Sequence, residues 1–454
     1  MENFTSLLLK IDRWIWQPLF VVLIGAGLYL TYKLRGIQFR RLGYALKLAF
    51  TRHDDDAPGD ISHFQALMTA LAATIGIGNI AGIATAVAMG GLGSLFWLWL
   101  TALIGMATKF TEATLAIQYR IKDDRGEMAG GPMYYIQRGL GWKGLAFCFA
   151  LFGGITTLFT GNIVQSQSIA SATAMAFGFN PWIVGAILAL MTGLVLLGGI
   201  KSIGGVTSFL VPVMAIFYIV GCLVILVIRF DQIPQAFATI FQTAFTGQAA
   251  VGGFVGSSIM IAIQMGVARG VFTNESGLGT SPIAAAAAKT DYPGRQALIS
   301  MTGAFLSTIV CTFTGLVIAV THVLGQIGPD GTVLNGAPMT IAAFDSVIPY
   351  GGLIVVVGSI LFGYSTIIGW AYYGEKCFEY LFGTRAILPY RLIFTLVVFL
   401  GVAIPLELVW ILADIANAFM ALPNLIGLVA LAGVAAKLTQ TFLAKVDQES
   451  NLMK

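Results

Sequence analysis

Apolar runs of about twenty residues recur along almost the whole chain, and no other feature limits its fold so strongly. PWIVGAILALMTGLVLLGGI (181–200) and VTSFLVPVMAIFYIVGCLVILVI (206–228) carry no charge at all. A bilayer core is crossed by about 20 helical residues. Inside it, backbone polar groups must be paired within the segment or by a closed barrel. A membrane barrel alternates apolar and polar residues over about 10-residue segments, and these runs do not alternate. Charged residues make up 10% of the 454 and hydrophobic ones 57%, against about 25% charged in soluble proteins. So little charge cannot cover a water-facing surface. A soluble enzyme, a disordered chain and a nucleic-acid binder are excluded, and the fold class is an all-α polytopic membrane protein.

Eleven spans are predicted, at 15–34, 62–90, 94–119, 142–177, 181–200, 204–229, 253–288, 294–324, 350–382, 387–404 and 408–437. Several exceed the length needed and must tilt, kink or break. With the N-terminus outside, twenty of the 25 Lys and Arg fall in or beside cytoplasmic loops, as the positive-inside bias requires. They cluster at Lys33–Arg52, Arg120–Lys143, Lys289–Arg295, Lys376–Arg391 and Lys437–Lys454, with Lys201 alone. The odd span count puts the C-terminus in the cytoplasm. No cleavable signal peptide is evident. Short loops suggest a prokaryotic inner membrane.

Residues 37–50 read as an amphipathic stretch on the cytoplasmic surface. Residues 232–247 and 337–347 read as short outer-face helices. His53-Asp54-Asp55-Asp56 reads as a solvated linker. The four cysteines and three histidines share no metal-ligand spacing, and no cofactor, nucleic acid or obligate protein partner is indicated.

Two spans are interrupted. The second contains AATIGIGNIAG, with Gly76, Gly78, Asn79 and Gly82. The seventh contains GVARGVFTNESGLGTSP, with Gly266, Gly270, Gly277, Gly279 and Pro282. Glycine costs about 1 kcal/mol in a helix interior relative to alanine. Unpaired backbone in hydrocarbon costs more, so such segments persist only when buried in protein or lining a polar cavity. For a single glycine, close helix packing is the competing reading. The two spans lie five apart and run in opposite directions. That placement points to a 5+5 inverted repeat, 62–229 and 253–437, with an additional N-terminal helix at 15–34 and a tail at 438–454.

Within this frame several segments become recognisable: GIGNIAGIATAVAMGGLGSLFWLWLTALIG (76–105), GGPMYYIQRGLG (130–141), GGIKSI (198–203), ARGVFTNESGLGTSPIAAAAA (268–288) and GYSTIIGWAYYGEK (363–376). Together they resemble the sodium:alanine/glycine symporter family. Ser94 and Leu98 are small departures from its usual form. The resemblance implies a leucine-transporter-type fold with one extra helix, and sodium-coupled uptake of small neutral amino acids, chiefly alanine or glycine.

By resemblance, Asn79 sits at the substrate site, with backbone groups from Thr74, Gly76, Ile77 and Gly78. Phe272 walls the side-chain pocket, and the carbonyls around it and Thr273 receive the ammonium. Ser365 and Thr366 complete a sodium site with carbonyls of Ala72, Ile75 and Phe362. Hydroxyls in a helix more commonly bond an upstream carbonyl. Trp370, one turn after Thr366, limits the pocket to small side chains. Gln165 matches the family and meets the substrate amine or carboxylate, or else bonds between helices. Gln167 stands where the family has Asn.

Lys109 and Glu112 read as an internal ion pair. Arg269 and Glu275 flank the second break as a brace or a gate salt bridge. Glu407 and Asp414 read as structural. Within the fold, another cargo such as glutamine, or a proton in place of sodium, is the runner-up. A proton-coupled site needs a titratable group, and Asn79, Ser365 and Thr366 offer none. An ion channel lacks its filter here, and an intramembrane enzyme lacks a nucleophile–base pair or a metal cluster.

Overall fold

The computed structural model describes residues 2–51, 57–250, 254–328, 331–404 and 406–452. The His53–Asp56 linker lies outside them, as does the Glu407 side chain. Among the described residues, eight helices are long and apolar enough to cross a membrane. Three further predicted spans are shorter. Two are the interrupted ones, built as His63–Thr74 with Ala81–Gly90 and as Ile259–Asn274 with Ser281–Ala286. The third is the 17-residue helix Pro181–Leu197.

Local sequence sets several boundaries. Ser62 starts the first interrupted helix with a reciprocal cap. It accepts from Gln65 N, and its own N–H donates to Gln65 Oε1 at 3.0 Å. Asn180 caps Trp182 N ahead of Pro181, whose missing N–H costs nothing at a first helical position. The span predicted at 142–177 is two α-helices, Lys143–Leu158 and Val164–Phe177, joined by a π-helical turn, Phe159–Ile163. The last helix, Leu406–Leu452, continues through most of the segment read as a tail.

Gly352–Phe382 lies centrally. It packs on His63–Thr74, Lys143–Leu158, Val164–Phe177 and Gly199–Ile228. Ser94–Gln118 packs on Pro293–Thr321 and on the second interrupted helix, Ile259–Asn274. The additional helix Glu2–Lys33 lies against Leu406–Leu452 and Ser94–Gln118. The amphipathic stretch forms Ile37–Arg40 and Leu42–Phe50, and the two short helices are Ile233–Thr246 and Gly336–Asp345. A two-stranded antiparallel hairpin, Ile121–Lys122 with Met128–Ala129, was not expected from the sequence.

One end of each interrupted helix is tied to the other. Ile61 bridges Ala288 in parallel, with Asp60 N and Lys289 N donating to Ala287 O and Ile61 O at 2.8 Å each.

Candidate functional site

The first break is held by neutral groups. Ile75 still donates to Leu71 O at 2.7 Å. The chain then leaves the helix, passes through a 3₁₀ turn at Ile77–Asn79 and resumes at Ala81. Asn79 Oδ1 accepts from Gly76 N at 3.1 Å, and its Nδ2 donates to Ser307 Oγ at 2.9 Å. The Ser307 hydroxyl donates onward to Thr273 O at 2.7 Å. Thr314 Oγ1 donates to the Asn79 carbonyl at 2.9 Å. The Asn79 side chain therefore ties the first break to the second through Ser307.

Beside this break, oxygen atoms converge. Ser365 Oγ lies 2.9 Å from Phe362 O and 3.3 Å from Ala72 O. Thr366 Oγ1 lies 2.9 Å from Phe362 O and 3.1 Å from Ala72 O. The back-bond to Phe362 is the ordinary helical one; the reach to Ala72 is not. Two hydroxyls carry two protons for two carbonyls that both approach, so the cluster has lone pairs in excess. Such neutral oxygens suit a hard monovalent cation. The break also comes close to Thr366, since a Cβ on Gly76 would stand 2.5 Å from Thr366 Oγ1.

The second break is held by carboxylates. Glu275 ends the helix in the left-handed conformation, φ 50°. Gly277 and Gly279 follow at φ 91° and 79°, which glycine alone adopts freely. Their N–H groups donate to Glu112 Oε1 at 3.1 and 3.2 Å, and Asn424 Nδ2 donates to the same oxygen at 2.7 Å. Asn424 Nδ2 also reaches Gly277 O, and its Oδ1 accepts from Tyr135. Glu275 Oε2 accepts from Thr280 Oγ1 at 2.8 Å. Lys109 is buried in the same region and is attracted to both Glu275 and Glu112.

Both breaks line a cavity of about 20 Å³, which holds roughly one water. Thr74, Gly76, Gly78, Asn79, Gln165, Phe272, Thr273 and Trp370 border it, with Thr366 from the expected cation set. Ile77 is not among its walls; its Cδ1 lies toward Gly363. Ala72, Phe362 and Ser365 meet in the oxygen cluster, and Ile75 is the buried residue that ends the first helix.

Trp370 donates from Nε1 to the freed Ala73 carbonyl at 3.3 Å. It fits because the π-helical turn passes at a glycine: a Cβ on Gly161 would stand 2.1 Å from Trp370 Cβ. Gln165 Nε2 donates to Thr160 O in that turn at 3.1 Å.

Three polar walls were missed by sequence reasoning or read differently, and Ala73 and Leu278 add two apolar ones. Asn417 donates to Thr160 Oγ1 at 3.0 Å. It and Asn424 are seven apart in an apolar helix, a same-face signal that was available. Thr160 gave no sequence signal. Glu275 was read only as a brace or gate, yet it lines the cavity. The expectation that the site holds no titratable group is corrected accordingly.

Two groups of charged residues lie outside the cavity's lining. In one, the Arg269 guanidinium lies over the rings of Phe272 and Trp410, 5.9 and 5.7 Å from their centroids. It pairs with these aromatics and is attracted to Asp414. At the hairpin end, Lys376 Nζ is 2.8 Å from Glu379, 3.4 Å from Asp123 and 3.8 Å from Glu127. Arg120 donates to the carbonyls of Pro58, Ala286, Ala288 and Thr290. Burial pushes the Asp60 carboxyl up, against the N–H donated by Met128. Burial also acts to raise Asp123, but the Glu127 N–H and then Lys376 hold it below the usual carboxylate range.

Against known proteins, the family described as the sodium:alanine symporter family matches residues 1–454. The sodium/alanine symporter AgcS of Methanococcus maripaludis is 54% identical over 97% of both chains. The probable sodium/glutamine symporter GlnT of Bacillus subtilis is 35% identical over 92% of this chain and 87% of its own. Among solved structures, MhsT in complex with L-phenylalanine superposes with a TM-score of 0.52 at 15% identity, covering 84% of this chain and 99% of that one. The structural likeness gives the leucine-transporter-type fold. The sequence match over the full chain gives more: the protein belongs to the sodium:alanine symporter family, a family of cation-coupled amino-acid symporters rather than enzymes.

Proposed function

We propose that the protein carries alanine or glycine into the cell together with sodium, by alternating access between two five-helix units at 62–229 and 253–437. The observation that carries this reading is the cluster of Ala72 O, Phe362 O, Ser365 Oγ and Thr366 Oγ1 beside the first break. Its oxygens are neutral and outnumber their protons, and the Ile75 carbonyl is the fifth group assigned to it. A neutral shell passes one positive charge with a neutral zwitterion. The substrate meets the backbone of Thr74, Gly76 and Gly78 and the polar edge formed by Asn79 and Gln165.

Phe272, Thr273 and Trp370 bound the side-chain end. The N-terminus lies outside and the C-terminus in the cytoplasm of a prokaryotic inner membrane, a placement supported by the Lys and Arg distribution.

The test is uptake of labelled alanine into proteoliposomes under an inward sodium gradient, then with potassium in its place. Accumulation above equilibrium only with sodium is expected. Equal accumulation under both gradients would overturn sodium coupling. Accumulation of glutamine and not alanine would overturn the cargo.

A further inference from the structure

Among the described residues, three buried side-chain atoms of residues that line the cavity have no hydrogen-bond partner: Glu275 Oε1, Gln165 Oε1 and Asn417 Oδ1. All three are acceptors. They come from three separate helical segments: the second break, the helix after the π-helical turn, and the last helix. Glu275 is 1% exposed, Gln165 2% and Asn417 0%. Buried polar atoms are nearly always paired, so an unpaired group calls for an explanation. Three unpaired acceptors on residues that line one cavity share a single explanation.

We infer that Glu275, Gln165 and Asn417 form the subsite for the substrate's α-ammonium. The inference rests on the reading of the cargo as an amino acid.

The chemistry is complementary. An ammonium group carries three donors and no acceptor, and a carboxylate is its strongest neutral-pH partner. The free ends are fixed by what holds the other ends. Gln165 Nε2 is bound to Thr160 O, a carbonyl that only accepts, so Oε1 must be the open end. Glu275 Oε2 is engaged by Thr280. Thr74 and Trp370 adjoin the Glu275 carboxylate, but their donors turn to Ala70 O and Ala73 O. Lys109 attracts Glu275 through space and leaves Oε1 without a hydrogen bond.

The carbonyl route to the ammonium is partly taken, since Thr273 O already accepts from Ser307. The oxygen cluster at Thr366 is a separate group of atoms. Cation and ammonium thus have distinct acceptors within one cavity region.

The test uses the full-length protein in nanodiscs, with Glu275→Gln, Gln165→Leu and Asn417→Ala. Two quantities are read: binding of labelled alanine at saturating sodium, and binding of ²²Na alone. Glu275→Gln should weaken alanine by about 10- to 100-fold, the worth of a charged hydrogen bond, and each amide variant by less. Sodium binding alone should not change.

Loss of sodium binding with alanine affinity retained would make the three acceptors a second cation site and overturn the inference. Unchanged alanine binding in all three would also overturn it. If Glu275→Gln fails to fold, Asn417→Ala decides, because Asn417 does not brace the break. If wild-type protein binds no alanine, the cargo reading has failed, and the same comparison with labelled glutamine still tests the ammonium subsite.

Discussion

The two interrupted helices hold their open backbone by opposite means. At 75–80 the partners are an amide, hydroxyls and carbonyls, joined through Asn79, Ser307 and Thr314. At 275–280 they are the carboxylates of Glu112 and Glu275, with buried Lys109 nearby. The attraction between charges grows steeply as the local dielectric falls. A carboxylate at the first break would add a fixed charge beside the oxygen cluster, where the present groups are all neutral. At the second break Glu112 pins the backbone of the bend, while Glu275 Oε1 stays unpaired.

Removing the charged brace should have the largest effect. Glu112→Ala leaves the N–H groups of Gly277 and Gly279 and the Asn424 amide without their shared acceptor, and leaves Lys109 with less compensation. Breaking a buried charged network in this way costs about 3–5 kcal/mol. The expected outcome is a sharp fall in thermal stability and yield in detergent, with Glu112→Gln recovering part of it because one acceptor oxygen remains. Equal stability of Glu112→Ala and wild type would remove the contrast between the breaks.

The neutral break should fail differently. Asn79→Ala removes the acceptor for Gly76 N and the donor to Ser307, each worth about 1–3 kcal/mol when a buried partner is left unpaired. Uptake should be abolished while the protein still reaches the membrane and binds detergent as a monodisperse species. Near-normal uptake in this variant would take Asn79 out of the site.

A smaller and more selective effect is expected at Thr366. Thr366→Ala removes one of the four clustered oxygens and little packing. The sodium concentration for half-maximal uptake should rise about tenfold, equivalent to about 1.4 kcal/mol, with thermal stability close to wild type. Unchanged sodium activation would separate this cluster from coupling.

What was legible in the sequence and what was not divides along the same contrast. Both breaks stood out because glycine and polar residues are costly at membrane depth, whereas Thr366 and Trp370 came from the family resemblance, with helical spacing only putting the two on one face. The partners of the breaks did not stand out. Glu112 reaches Gly277 across 165 residues of chain and Asn79 reaches Ser307 across 228, distances over which no local pattern carries information. Lys109 and Glu112 are neighbours on one helix, and Glu275, from another segment, brings a further charge to the same buried group. The π-helical turn at Phe159–Ile163 left one trace, Gly161, that looks like ordinary helix packing. The hairpin at 121–129 is too short for a period-two pattern to show.

Trp370 is where a neutral wall and the first break meet, and its smallest substitution tests that junction most finely. Trp370→Phe keeps an aromatic ring against Gly161 but removes the indole N–H that covers Ala73 O at 3.3 Å. A long hydrogen bond to a buried carbonyl contributes about 1 kcal/mol, so alanine affinity should fall by only a few-fold. The smaller ring also opens space at the cavity wall. Competition by serine and 2-aminobutyrate should therefore improve relative to glycine. If selectivity is unchanged while affinity falls, the indole acts on the break alone, and the size limit belongs to Phe272. If selectivity relaxes and affinity holds, Trp370 is a wall first and the bond to Ala73 is incidental.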